Sequence, residues 1–421
     1  MITRFNLRTD HTRQNIFALL DIGSSKVTML VAEVVNGKIN ILGVGSSASE
    51  GRQKGMVVNI AKTVEAIKDC RKDAQQMSGH TVSEVVVSVG GSHIGTVEKI
   101  GMTSIHGTEV TRKDVQDVLN SAVHFQIPID ARIVGVLPKE YVVDDQTGIT
   151  DPVGIVGVRL EASVEVLLAY ATAVENIENC VRRANLRVRE LVATPVASGL
   201  AVLDNSEREL GTAVVDIGAG ATSVSIWRQR RLQNAFILPF GGDWMTQDIA
   251  TGLRTPPARA EELKIKSGCA ISDIISEGET ITVPGIGNRP DRIVSRQILS
   301  ELIEPRLEEI LNETAKALRE RSFDMIYAGG IVLTGGTAAL PGIIDVAHKV
   351  LEVPIRIGTP IGVTGLSSVV NSPQYATVVG LAKFAAYHKV MDEPQAMWPL
   401  TETKKQGWLA SLYSRAAGFL G

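Results

Sequence analysis

Residues 18–27, ALLDIGSSKV, form an apolar run that ends at Asp21 and continues into a glycine, two serines and a lysine. The chain repeats this arrangement at residues 213–222, AVVDIGAGAT, so that 195 positions separate Asp21 from Asp216. In both places the apolar run predicts a buried strand, and the glycine after the aspartate predicts a tight turn. The repeat predicts a duplicated α/β core whose two halves face each other across a cleft, where ligands commonly bind.

The two turns have the composition of anion-binding loops. Successive backbone N–H groups in such a turn can point at one phosphate, and glycine permits the close approach that this requires. Each aspartate would face a Mg²⁺ ion through water, because Mg²⁺ keeps much of its hydration shell. A plain hairpin with a turn aspartate would explain one copy, but two copies in the same order favour a phosphate site. The predicted phosphate-binding residues are Asp21, Gly23, Ser24, Ser25, Lys26, Asp216, Gly218, Ala219, Gly220, Ala221 and Thr222.

Two further segments supply predicted contacts to adenosine. The bare backbone of Gly335 and Gly336, followed by Thr337, suits a flat ring or a ribose. In AEELKIKSG, residues 260–268, Glu261 and Lys264 are three positions apart on a predicted helix and can share one face. Alone, this pair would be interpreted as a solvated ion pair. Beside two phosphate loops, we interpret it as part of the adenosine site.

Composition and net charge argue against a nucleic-acid-binding, secreted or membrane-spanning protein. The 421 residues are 44% hydrophobic and 21% charged with a net charge of −3, which lacks the basic character of nucleic-acid-binding proteins. Three widely spaced cysteines form neither a metal motif nor a disulfide framework, which favours a reducing cytoplasm. Residues 1–15 are polar and lack the apolar core of a signal peptide, and no apolar run is long enough to span a bilayer.

Helical patterns occur between the strands. Residues 60–78 have a helical period that turns Val64 and Ile67 to one side. A second helix is predicted near 111–124, opened by Thr111 and carrying Asp114 in its first turn. A long helix is predicted over 295–321.

The last residues, WLASLYSRAAGFLG at 408–421, predict an amphipathic helix, which is interpreted either as a helix at the membrane surface or as a terminal helix packed on the protein's own core. The polar, proline-containing segment before them favours a detached element over a helix packed on the protein's own core. Fourteen residues of helix span roughly 21 Å, which is too short to cross a bilayer. Basic residues near the apolar face would attract anionic lipid. The predicted membrane-binding residues are Trp408, Leu409, Leu412, Tyr413, Arg415, Phe419 and Leu420.

Two phosphate loops, a Glu-x-x-Lys helix and a glycine-pair loop resemble the superfamily of actin, Hsp70 and the sugar kinases. Within it, the chain resembles the FtsA family of bacterial cell-division proteins over nearly its full length. The segments that carry this resemblance are GVGSSASEGRQKGMVVNI (43–60), DPVGIVGVRL (151–160), ERELGTAVVDIGAGAT (207–222), RQILSELIEPRLEEI (296–310) and AGGIVLTGGTAALPGI (328–343).

The resemblance implies an actin-like ATPase fold with two lobes around an ATP and Mg²⁺ cleft and an FtsA-type, SHS2-like insert in the first lobe. It divides the chain into subdomain 1A at 1–83, 166–195 and 371–390, the insert 1C at 84–165, subdomain 2A at 196–241 and 305–370, subdomain 2B at 242–304, a linker at 391–404 and a membrane-targeting helix at 405–421.

Hydrolysis is expected to be slow. The resemblance places the position that orients the attacking water just before a proline, where chaperone and bacterial-actin relatives carry glutamate. In LVATPVASGLAVL, residues 191–203, that position is Thr194, before Pro195. A hydroxyl can orient water but is a poor base, and phosphoryl transfer depends on positioning and charge placement.

The partners that the resemblance implies are the tubulin-like protein FtsZ through subdomain 2B, further copies of the chain in a polymer, later division proteins through subdomain 1C and an anionic membrane. Arg289, Arg292 and Arg296 give subdomain 2B a basic edge. The implied location is peripheral, on the cytoplasmic face of the inner membrane at the division site. Two alternatives remain open: a pilus-assembly scaffold of the PilM type and a small-molecule kinase of the same superfamily.

Overall fold

The architecture comes from a computed structural model, which describes residues 15–35, 37–287, 289–321 and 328–390. In the first part of the chain the elements are β1 (Ile16–Ile22), β2 (Lys26–Val35), β3 (Lys38–Ala48), β4 (Arg52–Gln53), β5 (Met56–Val57), α1 (Ile60–Ser78), β6 (Glu84–Val89), β7 (Gly95–Ser104), α2 (Arg112–Ala122), β8 (Ala131–Val143), β9 (Gln146–Ile149), β10 (Arg159–Tyr170), α3 (Ala171–Arg183), β11 (Arg187–Ala193) and α4 (Thr194–Val202).

The second part continues with a similar alternation. Its elements are α5 (Asn205–Leu210), β12 (Thr212–Ile217), β13 (Thr222–Arg228), β14 (Arg231–Leu238), α6 (Gly242–Gly252), α7 (Pro257–Ser267), β15 (Thr280–Val283), β16 (Arg292–Ser295), α8 (Arg296–Glu320), β17 (Ile331–Thr334), α9 (Ile343–Leu351), β18 (Ile355–Ile357), β19 (Val363–Gly365), α10 (Ser367–Val370) and α11 (Ala376–Val390), with short 3-10 helices at Gly336–Ala339 and Pro373–Tyr375.

Two sheets form the centres of two lobes. The first has the strand order β11-β6-β1-β2-β3-β19 and the second has the order β14-β13-β12-β17-β18. In each, an antiparallel hairpin carries the aspartate on its first strand, and that strand also pairs in parallel with a later strand, β6 or β17. The predicted duplicated α/β core is confirmed.

The two hairpins match residue for residue. Ile22 pairs with Val27 and Ile217 with Thr222, so each turn has the same length. The same backbone bond closes both turns: Gly23 N–H donates to Lys26 O at 2.9 Å, and Gly218 N–H to Ala221 O at 3.0 Å. Each aspartate is the next-to-last residue of its strand, so both side chains lie beside a turn of identical geometry.

The lobes meet through α4 and α11, which pack against each other. Gly380 on α11 lies so close to the Ala197 carbonyl of α4 that a Cβ atom would not fit between the helices. On the same helix α4, Gly199 lies against the Trp227 indole of the second lobe. Apolar residues from both lobes therefore join one buried cluster, which includes Val214 and Trp227 together with the first sheet.

Local signals account for the predicted helices. Asn59 caps α1 by accepting from Lys62 N at 3.1 Å, and Gly79 ends it with a φ of 71°. Thr111 and Asp114 form a reciprocal capping box at the start of α2. These contacts confirm the predicted starts of both helices.

A separate four-stranded sheet, in the order β7-β10-β8-β9, packs on α2. The sheet and α2 extend from Gly95 to Tyr170. Both ends of this unit therefore lie later in the chain than the predicted insert bounds of 84 and 165. Strand β6 lies in the six-stranded sheet because it pairs with β1 and β11, and residue 165 falls inside β10.

Three other predicted subdomain boundaries also differ from the divisions that the secondary structure shows. The divisions after residues 195 and 304 cut helices α4 and α8. Strand β19 lies within the predicted second-lobe segment 305–370, but it pairs with β3 in the first sheet. The chain therefore returns to the first lobe before residue 363.

Candidate functional site

Strand β6 supplies the side chain that holds the aspartate of the first loop. The Ser88 hydroxyl donates to Asp21 Oδ1 at 2.6 Å and accepts from Ile22 N–H at 3.3 Å. Ser88 is 1% exposed, so this contact fixes the carboxylate within the sheet. Lys26 lies at the other end of the turn, where its ammonium group donates to Gln374 Oε1 at 3.0 Å.

The second aspartate loop is bordered by the start of α11. Asp216 is 7% exposed, and its Oδ2 atom accepts from the Thr377 hydroxyl at 3.2 Å. Gly335 lies directly against Asp216 Oδ1 with a φ of 88°, so no other residue would fit there without displacing the carboxylate.

The predicted phosphate-binding role of the Thr222 hydroxyl is wrong. Thr222 is buried, and its Oγ1 atom donates to the Phe240 carbonyl at 2.8 Å. The hydroxyl therefore ties β13 to the segment before α6. Thr222 contributes to the loop only by closing the turn opposite Ile217.

The two loops come into contact with each other. A Cβ atom at Gly220 would lie 2.7 Å from Ser24 Oγ and 3.0 Å from Lys54 N. In the described part of the chain, no hydrogen bond occupies the backbone N–H groups of Ser24, Ser25, Ala219 and Gly220. The turns of both lobes thus bring free donors to one place, which is the arrangement that an anion requires.

The carboxylates of Asp21 and Asp216 interact electrostatically. Burial raises the pKa of Asp216 to about 7, and the negative charge of Asp21 acts in the same direction. Burial also raises the pKa of Asp21, while Ser88, Arg52 and Lys26 oppose that shift. An acid whose charged form is disfavoured by a neighbouring carboxylate suits a site for a divalent cation, since Mg²⁺ takes oxygen ligands and would offset this repulsion.

Arg52 is a site residue that the sequence did not single out. It is 8% exposed, donates to the carbonyls of Gly90 (2.9 Å) and Gly55, and its charge lowers the pKa of Asp21. Gly55 N–H in turn donates to Ser24 Oγ at 3.3 Å. The β4–β5 hairpin therefore borders the first loop. Arg52 lies in the family motif at 43–60, but spacing along the chain carries no signal for this contact.

The predicted adenosine residues are also brought together. Lys264 Nζ donates to Gly242 O at 2.9 Å and forms a 2.7 Å ion pair with Glu261, which also accepts from Thr246. Thr337 Oγ1 donates to Gly218 O at 3.4 Å. Gly336 has open space where a side chain would project, whereas Gly335 is packed against Asp216 and Ile217.

Thr194 begins α4, and its hydroxyl is engaged by a hydrogen bond within the fold. Its hydroxyl donates to the Val89 carbonyl at 3.1 Å, and Gly90 packs against the same oxygen atom. The contact joins α4 to the end of β6. The water-positioning role of Thr194 remains a prediction.

Comparison with known proteins agrees with this geometry. The family model described as "Cell division protein FtsA" matches residues 213–380, and the model described as "SHS2 domain inserted in FTSA" matches residues 91–168. The chain is 41% identical over 366 residues to the cell division protein FtsA of Pseudomonas aeruginosa, covering 87% of this chain and 88% of that protein. It is 37% identical over 381 residues to FtsA of Escherichia coli K12, covering 89% and 91%.

The chain belongs to the FtsA family of cell division proteins. Solved structures under 20% identical share its fold. The PilM–PilN type IV pilus biogenesis complex has a TM-score of 0.62 at 18% identity, covering 88% of this chain and 98% of that chain. MreB5 of Spiroplasma citri bound to ADP has a TM-score of 0.53 at 12% identity, covering 90% and 98%. The predicted actin-like fold of this FtsA-family chain is confirmed.

The predicted membrane-binding residues, Trp408 to Leu420, lie outside the described part of the chain. Among the described residues, no helix combines the length and the apolar character needed to cross a membrane.

Proposed function

We propose that this FtsA-family protein binds ATP with Mg²⁺ between its lobes and links FtsZ filaments to the cytoplasmic membrane. The observation that carries the nucleotide proposal is the pair of matched loops, whose free N–H groups and coupled aspartates come from opposite lobes. MreB5, which shares the fold, has been solved with ADP and with AMPPNP.

Different residues of this chain would bind the phosphates, the metal ion and the nucleoside. The backbone N–H groups of Ser24, Ser25, Ala219 and Gly220 would bind phosphate oxygens, with Lys26 supplying positive charge. Asp21 and Asp216 would hold Mg²⁺ through water. Glu261, Lys264, Gly336 and Thr337 would contact the nucleoside, with Gly335 shaping the turn between nucleoside and phosphate. The bound metal would neutralise charge on the phosphates.

Turnover is proposed to be slow. Thr194 carries no carboxylate, and its hydroxyl proton is engaged by Val89 O. Measurement of ATP hydrolysis on purified protein tests this proposal. A substantial kcat that disappears in the Asp216→Asn variant would contradict it.

The FtsZ-binding surface is proposed to lie on the segment 242–304. Five isoleucines there are exposed: Ile265, Ile274, Ile286, Ile293 and Ile298. Two of the three arginines in the predicted basic edge support the fold, since Arg292 donates to Leu253 O and Arg296 pairs with Glu279 at 2.6 Å. The exposed isoleucines are therefore stronger candidates for FtsZ contact than those two arginines.

Membrane attachment is proposed to act through residues 405–421. One short amphipathic helix binds weakly, so polymerisation of the protein along the membrane would strengthen attachment through multivalency. The protein would then be peripheral, on the inner membrane at the division site, with the insert at 91–168 available to later division proteins.

Sedimentation with anionic liposomes in the presence of FtsZ tests the linking role. The full chain should carry FtsZ into the pellet, and removal of residues 405–421 should leave FtsZ in the supernatant. Leu412→Glu on the predicted apolar face should act like the truncation, whereas Ser411→Glu on the opposite face is the matched control. If the truncated chain still pellets FtsZ with liposomes, the proposed tether is wrong.

A further inference from the structure

The segment from Pro373 to Thr377 contacts both aspartate loops. In the second lobe, the Thr377 hydroxyl donates to Asp216 Oδ2 at 3.2 Å. In the first lobe, Lys26 Nζ donates to Gln374 Oε1 at 3.0 Å and lies 3.9 Å from the centre of the Tyr375 ring. One short segment thus contacts both the predicted metal-facing acid, Asp216, and the predicted phosphate-binding cation, Lys26.

The segment is itself fixed to the second sheet. The Pro373 carbonyl accepts from Gly335 N–H at 3.2 Å, and it lies 3.2 Å from Thr334 Oγ1, whose hydroxyl is shared with the Gly358 carbonyl at 2.8 Å. Thr334 pairs with Asp216 across the β12–β17 ladder, so the anchor lies on the strand beside the aspartate. Thr377 is 7% exposed and therefore has little freedom to adopt another contact.

The orientation of a buried carboxylate depends on its donors. Asp216 Oδ1 is confined by Gly335, and Oδ2 is held by Thr377 in the first turn of α11. The positive end of a helix dipole favours the ionised carboxylate, and a hydrogen bond to a charged group contributes more than a neutral one. Ser198 on α4 also forms a side-chain hydrogen bond to Asp216, so without the Thr377 hydroxyl the carboxylate would lose one of two hydroxyl donors, the one that holds Oδ2 from the start of α11.

We propose that Thr377 is a positioning residue of the nucleotide site, which holds Asp216 in the orientation that receives the Mg²⁺ ion of bound Mg-ATP. The inference rests on the proposed nucleotide function. Thr377 acts through Asp216. Gln374 and Tyr375 contact the Lys26 side chain from the same segment, so residues 374–377 touch both loops.

The test compares ATP binding by the full chain with and without Mg²⁺, using titration calorimetry. Thr377→Val should weaken Mg-ATP binding by about 10-fold or more, as expected for loss of a hydrogen bond to a charged group. Binding of ATP in EDTA should change by less than about twofold. Thr377→Ser should restore affinity, because it retains the hydroxyl, and Thr377→Ala provides a second deletion without added branching.

Thr314 supplies the matched control. It is also a buried threonine inside a helix, but its hydroxyl donates to the Ile310 carbonyl at 2.7 Å, far from both loops in sequence. Thr314→Val should leave the Mg²⁺ dependence unchanged. Thermal unfolding of each variant without nucleotide confirms that the compared chains are folded.

Two results would overturn the inference while leaving the proposed function intact. In one, Thr377→Val and Thr377→Ala bind Mg-ATP like the unaltered chain. In the other, they lose affinity equally with and without Mg²⁺, as a general structural effect would produce. If the unaltered chain binds no Mg-ATP, the proposed function and the inference are both wrong.

Discussion

Ser88 Oγ lies 2.6 Å from Asp21 Oδ1, and it reaches the aspartate from the strand that pairs in parallel with β1. The second lobe places Thr334 beside Asp216 in the corresponding parallel pair. There, however, the hydroxyls that bond to the carboxylate belong to Thr377 and Ser198, which lie on the helices α11 and α4. The duplicated halves therefore share backbone geometry but hold their aspartates in different ways.

Ser88→Ala should destabilise the protein by about 1–3 kcal/mol, because it leaves the buried Asp21 carboxylate and the Ile22 N–H group without their hydroxyl partner. Urea unfolding measures the change in free energy. Ser46→Ala, at an exposed position of β3, is the control and should be nearly neutral. Equal stability of the two variants would show that the Ser88 contact does not contribute to folding.

The variants Gly335→Ala and Gly336→Ala should differ in stability and in nucleotide binding. A methyl group at Gly335 would collide with Asp216 Oδ1, and its φ of 88° disfavours alanine as well, so that variant should fold poorly or lose nucleotide binding. Gly336 has open space and should tolerate the methyl group in the unliganded protein. Thermal unfolding and ATP titration of both variants provide the comparison. Equal Tm values would contradict the proposed packing of Gly335.

Asp216→Asn should stabilise the unliganded protein at pH 8 while removing its response to Mg-ATP. The substitution retains the shape of the side chain and relieves the repulsion between Asp21 and Asp216, which should raise stability by at least about 1 kcal/mol. Thermal shifts with and without Mg-ATP measure both effects. Asp145→Asn, at an exposed carboxylate, is the control for net charge. A variant that is less stable and still responds to Mg-ATP would contradict the assignment.

His93 should make the protein less stable as the pH falls. Its ring is 8% exposed and stacks on Tyr170 at 5.7 Å, and neither ring nitrogen has a hydrogen-bond partner among the described residues. Burial, assisted by the charge of Arg52, lowers the pKa of His93 to about 4 from its ordinary value of 6.5. The unfolded chain therefore takes up the proton first, and stability is lost between these two pH values.

Over that window the loss should reach about 3 kcal/mol, because each pKa unit corresponds to about 1.4 kcal/mol. His93→Phe keeps a stacked ring and should remove this contribution, so that on going from pH 7 to pH 4.5 the variant should lose less stability than the unaltered chain in urea unfolding. His80→Gln, at an exposed histidine, should leave the slope unchanged. The account of His93 fails if the Phe variant retains the slope of the unaltered chain.

Much of the fold was predictable because its signals are local. Apolar runs that end at an aspartate and a glycine identified both hairpins, and the capping residues Asn59 and Thr111 lie within three positions of their acceptor or donor partners. Boundaries between lobes were less predictable. The pairing of β6 with β1 and of β19 with β3 depends on contacts between residues distant in sequence.

The sequence by itself determined the repeated Asp-Ile-Gly turns, the family and the residue types on which the phosphate-site prediction rests, because these depend on composition and spacing along a short stretch. The tertiary structure alone decided that Ser88 and Thr377 bond to the aspartates, that the charge of Arg52 acts on Asp21, and that the Thr222 hydroxyl bonds to the Phe240 carbonyl. Hydrogen bonds and charge interactions act over a few ångströms in space. Their partners come from strands and helices that only the folded sheet order brings together.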